Sequence, residues 1–153
     1  MDRITKQARS SLMSKIRSTG NRSTEQRMRM GLVRAGIKGW TMHPREIPGK
    51  PDFWFLKAKL AIFVDGCFWH GCQRTRCLRS PRQNRIYWKR KIRNNIERGK
   101  SVIRQLRLHG CSVMRVWEHE LASIVGVEKA IARVASTTRS PIRRVPHHSV
   151  SRL

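Results

Sequence analysis

Residues 52–65 read DFWFLKAKLAIFVD, and this stretch decides the fold that we expect. It holds two runs rich in aromatic and β-branched residues, 52–56 and 59–65, separated by a Lys-Ala pair. Two such runs on either side of a short polar break predict an antiparallel hairpin. Residues 111–117 predict a further strand, and residues 37–42 predict a short one.

Helical spacing occurs on both sides of the hairpin. Residues 23–26 (STEQ) have the composition of a capping box, and Met28, Leu32 and Ala35 then recur at helical intervals up to Gly36. Residues 83–108 predict one long helix, and residues 120–136 predict another. The apolar side of the long helix is predicted to consist of Ile86, Ile92, Ile96, Ile103 and Leu106.

The length of 153 residues suits one domain. We expect a basic N-terminal arm over 1–22, the domain over 23–136, and a basic, disordered tail over 137–153 that has no acidic residue. No apolar run approaches the length of a membrane span, and no apolar core of a signal peptide follows the basic N-terminus. We therefore expect a cytoplasmic protein without a membrane partner, in which cysteines bind metal or pack in the core.

The charge of the chain favours a nucleic-acid partner. Lys and Arg number 34 against 9 Asp and Glu, which gives a formal net charge of +25. A surface of this kind suits a polyanion, because each neutralised phosphate releases condensed counterions. Ribosomal proteins share this composition, so the charge by itself does not separate an enzyme from a binding protein.

Acidic residues are scarce, and the only two aspartates beyond Asp2 lie at the ends of the predicted hairpin strands. Asp52 precedes the first strand and Asp65 ends the second. A carboxylate on a buried strand is costly unless it is paired or binds a metal. The hairpin sets Asp52 opposite residue 63 or 64, so the two carboxylates lie close together and suit Mg²⁺. The alternative is that each aspartate pairs with one of the many arginines.

A second group of residues has the chemistry of a zinc site. Three thiolates from one loop and an imidazole from a distant segment would form a closed tetrahedral site. The candidate ligands are Cys67, Cys72, Cys77 and His119. Cys111 is a rival ligand, although its place in a strand pattern favours the core. His70 lies between two of the cysteines and could bind zinc, or it could stay free as a general base.

Two aromatic pairs stand in basic surroundings. They are Phe68 with Trp69, next to His70, and Tyr87 with Trp88, at the start of the long helix. Proteins that insert apolar side chains between base steps use residues of this type. The alternative is that both pairs belong to the hydrophobic core.

Four groups of residues carry a family resemblance. They are residues 48–53 (PGKPDF), 63–72 (FVDGCFWHGC) and 116–121 (VWEHEL), together with Asn84, Tyr87, Trp88, Lys91, Ile92 and Asn95. In these residues the chain closely resembles the very short patch repair (Vsr) DNA mismatch endonucleases, from about residue 10 to residue 121. The resemblance implies an α/β, restriction-endonuclease-like fold, with a mixed central sheet flanked by helices and a structural zinc site.

The resemblance also implies a reaction. Members of this family hydrolyse, with Mg²⁺, one phosphodiester bond 5′ to the T of a T:G mismatch, which arises when 5-methylcytosine deaminates. The expected partner is mismatched double-stranded DNA, which a monomer would bind at the nucleoid, and other mismatch-repair proteins are possible further partners. Two alternatives stay open, a non-catalytic zinc-containing nucleic-acid-binding protein and a nickase with a different target.

The resemblance assigns roles to residues at matching positions. The magnesium ligands are Asp52, Asp65 and the carbonyl of Val64, and the catalytic residues are Asp52, Asp65, His70 and Glu25. The zinc ligands are again Cys67, Cys72, Cys77 and His119. The residues expected to intercalate beside the mismatch are Met13, Phe68, Trp69 and Trp88. One departure is Gly99, where the family has an aspartate that orients a catalytic histidine.

Overall fold

The structure, a computed structural model, describes Gln7, residues 24–74, Cys77 and residues 84–139. Within these residues, four strands form one mixed sheet in the order β1-β2-β3-β4. They are β1 (Trp40–Met42), β2 (Phe53–Phe55), β3 (Leu60–Asp65) and β4 (Ser112–Trp117). β2 pairs antiparallel with both β1 and β3, whereas β4 runs parallel to β3.

The predicted hairpin is confirmed, and its register positions the first acidic residue. Phe53 pairs with Ile62 and Phe55 pairs with Leu60. The turn between the strands closes with Lys59 N donating to Leu56 O at 3.2 Å. The residue before Phe53, Asp52, is therefore level with the end of β3, as the sequence predicted.

Helices cover both faces of the sheet. They are α1 (Glu25–Arg34), α2 (Arg85–Leu108) and α3 (Ile124–Arg139), with a 3₁₀ turn at Glu120–Ala122. Because side chains alternate across a strand, Phe53 and Phe55 face α1 and α3, while Trp54 faces α2. The larger core lies on the first face, where the helices contribute Met28, Leu32, Ala130, Ile131 and Val134. Leu106 of α2 packs on the second face.

Some helical expectations were wrong in detail. Ile86 is 88% exposed, although the sequence placed it on the apolar side of the long helix. The α2 residues that pack against the sheet, Val102 and Leu106, come from its C-terminal half, so its first turn lies beyond the core. Ala35 is exposed because α1 ends at Arg34. The predicted last helix begins later, at Ile124, and continues to Arg139.

Two predictions about the ends of the chain fall largely outside the described residues. These are the basic arm over 1–22, which includes Met13, and the part of the tail beyond Arg139. Among the helices that the structure describes, none combines the length and the apolar character needed to span a membrane.

The close approach of α3 to the preceding 3₁₀ turn gives a test of the packing. A Cβ atom at Gly126 would overlap the carbonyl oxygen of Glu120, which is backbone and cannot move aside easily. We expect Gly126→Ala to lower the free energy of unfolding by about 1–3 kcal/mol, because overpacking forces a backbone shift. Urea denaturation measures the change.

Gly99→Ala is the matched control for this substitution. It also lies in a helix, but nothing is within 4 Å of the position that its Cβ would occupy. Alanine there should stabilise the protein by up to about 1 kcal/mol through helix propensity. Equal effects of the two substitutions would contradict the packing described at Gly126.

Candidate active site

A cleft of about 880 Å³ lies between the end of β3 and helix α2. Its walls combine acidic and basic side chains with aromatic rings, and residues from α1 and from the loop after β3 contribute. The lining includes Glu25, Asp52, Asp65, His70, Trp69 and Gly99. The cleft therefore gathers every candidate catalytic residue that the sequence analysis proposed.

Asp52 is held at the base of this cleft by the hairpin. The backbone N–H of Val64 donates to Asp52 Oδ2 at 2.6 Å. Burial raises the pKa of Asp52 to about 7, and the negative charges of Glu25 and Asp65 add to the effect, although the Val64 hydrogen bond opposes it. A carboxylate in this position favours a cation beside it, because the cation would offset both the desolvation and the repulsion.

The sequence analysis missed His43, which lies next to Asp52. Its Nε2 is 3.2 Å from Glu25 Oε2, and its Nδ1 is 3.9 Å from Asp52 Oδ1. One ligand atom from each of these three residues lies within 4.8 Å of the others, so the group could hold a metal ion. The signal was the register of β1, since Met42 pairs with Phe53 and thereby sets the next residue beside Asp52.

Thr24 makes no side-chain capping hydrogen bond at the start of α1, and the glutamate that follows it is buried in the cleft. The capping box predicted over residues 23–26 is therefore not observed at Thr24, where the helix begins. Glu25 is only 5% exposed and contacts His43. α1 thus places a carboxylate in the site as well as covering the sheet.

The other predicted metal carboxylate, Asp65, is engaged by two basic side chains. Its Oδ2 accepts a hydrogen bond from Arg115 Nε, and its Oδ1 is 3.3 Å from His70 Nδ1. Arg115 also stacks over the Trp117 ring, 4.7 Å from its centroid. The structure therefore brings Asp65 and His70 together, as the sequence predicted, and adds Arg115 to the pair.

His70 sits in an environment that disfavours its charged form. Burial lowers its pKa, and the positive charges of Arg115 and Arg98 lower it further, against the opposing effect of Asp65. The imidazole is therefore neutral near pH 7 and can accept a proton.

The four predicted zinc ligands meet beside this cleft. His119 Nδ1 lies 3.2, 3.5 and 3.7 Å from the sulfurs of Cys67, Cys72 and Cys77. These four ligand atoms lie within 4.8 Å of one another, so the cluster could hold a metal. The rival ligand Cys111 instead packs beside the second core.

The thiols of this cluster are suited to a cation, and the chain around them is anchored. Burial raises the pKa of Cys67, so its thiolate needs a neighbouring positive charge. Glu118 accepts a hydrogen bond from Cys67 N at 3.1 Å and donates its own N–H to Asp65 O at 2.9 Å. The loop that begins at Cys67 and the end of β3 are thus tied to the same residue.

The aromatic side chains form one group at the mouth of the cleft. The rings of Phe68, Trp69 and Trp88 contact one another edge to face, with centroids 5.0 to 5.7 Å apart. Tyr87 contacts Trp88 at 5.2 Å and is 46% exposed. These residues belong to neither core cluster, so the interpretation that both pairs are core residues was wrong.

Comparison with known proteins agrees with this arrangement. The profile of the DNA mismatch endonuclease Vsr family matches residues 1–76. The chain is 32% identical over 133 residues to the type II nicking enzyme V.XorIIP of Xanthomonas oryzae, covering 87% of this chain and 96% of that one. It is 32% identical over 101 residues to the DNA mismatch endonuclease Vsr of Escherichia coli, covering 66% of this chain and 64% of that one.

Another relative matches over a shorter stretch. The chain is 43% identical over 88 residues to the type II nicking enzyme V.NaeI of Lentzea aerocolonigenes. That alignment covers 58% of this chain but only about half, 49%, of the relative.

A basic chain whose carboxylates meet an imidazole in one cleft of a mixed α/β fold, and whose relatives cut DNA, is a DNA endonuclease. More specifically, the chain belongs to the Vsr family of DNA mismatch endonucleases. This result confirms the resemblance found in the sequence and favours a hydrolase over the alternative of a non-catalytic binding module.

Removal of one thiol tests the cysteine–histidine cluster. We expect Cys67→Ala to lose the tightly bound metal of the purified protein and to lower its Tm, because three ligands bind an ion less tightly than four. Atomic emission measures the metal content. Cys111→Ala is the matched control and should keep the metal; loss of metal in both variants, or in neither, would contradict the ligand set.

Proposed function

We propose that this chain nicks one strand of double-stranded DNA, 5′ to the T of a T:G mismatch, by Mg²⁺-dependent hydrolysis of a phosphodiester bond. The observation that carries the proposal is Asp52, a largely buried carboxylate with a raised pKa that lies near two further acidic groups in a basic protein. The names of the relatives support cutting of a single strand and action at mismatches.

The donors in the cleft fit a hard divalent cation. The Asp52 carboxylate and the carbonyl oxygen of Val64 would hold Mg²⁺, with Glu25 nearby, because oxygen ligands suit this ion. When bound, the ion would neutralise charge on the scissile phosphate and activate the attacking water. The ion pair of Asp65 with Arg115 favours a different role for Asp65 than the ligand role expected from the sequence.

That role is to orient His70 as general base. Asp65 Oδ1 faces His70 Nδ1 at 3.3 Å, which leaves Nε2 as the nitrogen that takes the proton from water. Arg115 holds the other carboxylate oxygen, so the Asp65 side chain cannot rotate freely. Gly99 lines the same cleft, and it stands at the position where the family has an aspartate. Asp65 would orient His70 in place of that aspartate.

The cysteine–histidine cluster would bind Zn²⁺ and hold the recognition surface. Three thiolates and one imidazole in a tetrahedral group are typical of a structural zinc site. Phe68 and Trp69 lie in the loop that starts with Cys67, so the ion would fix their position. Together with Trp88 they would enter the duplex beside the mismatch and unstack it.

A second candidate function has support from the comparisons. Relatives from several bacteria are named type II nicking enzymes, which favours a nickase whose target differs in the sequence around the mismatch. Duplexes that carry T:G in varied sequence contexts separate the two candidates. Faster nicking in one context than in all others would favour the second candidate, whereas equal nicking in every context would favour the first.

The role of Asp52 is tested by changing its charge but not its shape. We expect Asp52→Asn to reduce nicking of a T:G duplex in Mg²⁺ by at least about a thousandfold, while binding in the absence of metal stays nearly unchanged, because only the metal ligand is lost. Single-turnover kinetics and gel shifts measure the two quantities.

The control variant is Glu97→Gln, which removes an exposed carboxylate paired with Lys100 and should nick at the normal rate. Normal nicking by Asp52→Asn would rule out the proposed metal site. No nicking by the unaltered protein with any divalent ion or mismatch would instead favour a non-catalytic binding role.

The aromatic group is tested by its effect on the preference for T:G duplex over matched duplex. We expect Trp69→Ala to weaken the preference for T:G over matched duplex by about tenfold, because the unstacked step loses a stacking partner worth about 1–3 kcal/mol. Competition binding measures the preference. Leu108→Ala, at an exposed apolar residue that does not line the cleft, should leave it unchanged; an unchanged preference in Trp69→Ala would exclude the wedge.

A further inference from the structure

One imidazole beside the cleft, that of His43, has no role in the mechanism described so far. His43 follows β1 with a left-handed backbone, φ 48°, which is uncommon for residues other than glycine. The pairing of β1 with β2 fixes its place beside Asp52, and Nε2 contacts the buried Glu25. Two separate elements therefore hold the ring in one orientation.

The contact with Glu25 determines what the other ring nitrogen can do. Glu25 Oε2, 3.2 Å away, can accept the Nε2 proton, and in that tautomer Nδ1 carries a lone pair. Nδ1 is buried and has no hydrogen-bond partner among the described residues. A buried polar atom without a partner is costly, and it points to a missing ligand.

The surroundings of Nδ1 favour a cation as that ligand. Nδ1 faces Asp52 Oδ1 at 3.9 Å, too far for a hydrogen bond. In this tautomer both atoms are electron-pair donors, so a positive charge between them would offset their repulsion. Two metal–ligand bonds of about 2.1 Å each can span the gap.

We propose that His43 Nδ1 is a direct ligand of the divalent cation at Asp52, and that Glu25 fixes the tautomer that makes it one. This inference rests on the proposed function, because it concerns the same cation. It adds a nitrogen donor to the oxygen ligands already named. A carboxylate that accepts the second N–H of a metal-binding histidine is a common arrangement, and Glu25 occupies that position.

The nitrogen donor changes which metal the site prefers. Imidazole binds first-row transition metals, among which Mn²⁺ is the weakest binder, more readily than it binds Mg²⁺, which favours oxygen ligands. The site should therefore bind Mn²⁺ more tightly than a site with oxygen ligands alone. Loss of His43 should lower the affinity for Mn²⁺ by at least about tenfold and the affinity for Mg²⁺ by less than about threefold.

Pulsed electron paramagnetic resonance of Mn²⁺ added to the full-length protein tests the ligand directly. A histidine nitrogen bound to Mn²⁺ gives a hyperfine coupling, which should change when the histidines are labelled with ¹⁵N. The coupling should vanish in His43→Gln and persist in His109→Gln, whose ring bonds to Gln105 O at the end of α2. Titration of free Mn²⁺, with Mg²⁺ as competitor, gives the affinities.

The outcomes separate this inference from the function on which it rests. If the unaltered protein shows no nitrogen coupling, or if the coupling persists in His43→Gln, His43 only positions Glu25 and the inference is wrong. If Asp52→Asn loses Mn²⁺ binding in that case, the proposed function stands. If Asp52→Asn binds Mn²⁺ as tightly as the unaltered protein, the proposed function fails as well.

Discussion

The hydrogen bond from the Val64 N–H to the Asp52 carboxylate sets the relation between the fold and the site. It joins the two ends of the hairpin, so the residue before β2 and the end of β3 meet at the base of the cleft. A slip of one residue in this register would turn Phe53 and Phe55 to the opposite face and remove the carboxylate from the cleft. The core and the site therefore require the same register, and neither could change without the other.

Acidic groups are concentrated in the cleft of a chain that is otherwise strongly basic. Glu25, Asp52 and Asp65 come from three different elements, and basic side chains line the same cleft, among them Lys50, Lys91, Arg98 and Arg115. The basic rim suits the phosphate backbone, while the acids repel it unless a cation lies between them. A cation beside these acids would offset their repulsion of a nearby phosphate, while the basic rim attracts the rest of the polyanion.

Much of the fold and half of the site could be predicted from local sequence, and the remainder depended on pairing between distant segments. The hairpin and the long helix follow from periodicity, and the four candidate zinc ligands follow from spacing and the resemblance; the structure contains both elements and brings the four side chains together. His43 was missed because only the register of β1 against β2 sets it beside Asp52. The pairing of Asp65 with Arg115 depends likewise on the parallel register of β3 and β4. Ile86 shows the opposite error, since helical spacing does not reveal where a helix leaves the sheet.

The aromatic group beside the cleft is assembled from two segments that are separated in sequence. Phe68 and Trp69 belong to the loop of the cysteine cluster, whereas Trp88 belongs to the first turn of α2. Neither segment presents the whole surface alone, because each ring packs against a ring of the other. A change of ring size in the loop would therefore alter the packing of the ring in the helix. The two segments form one packing unit, although some twenty residues of chain separate them.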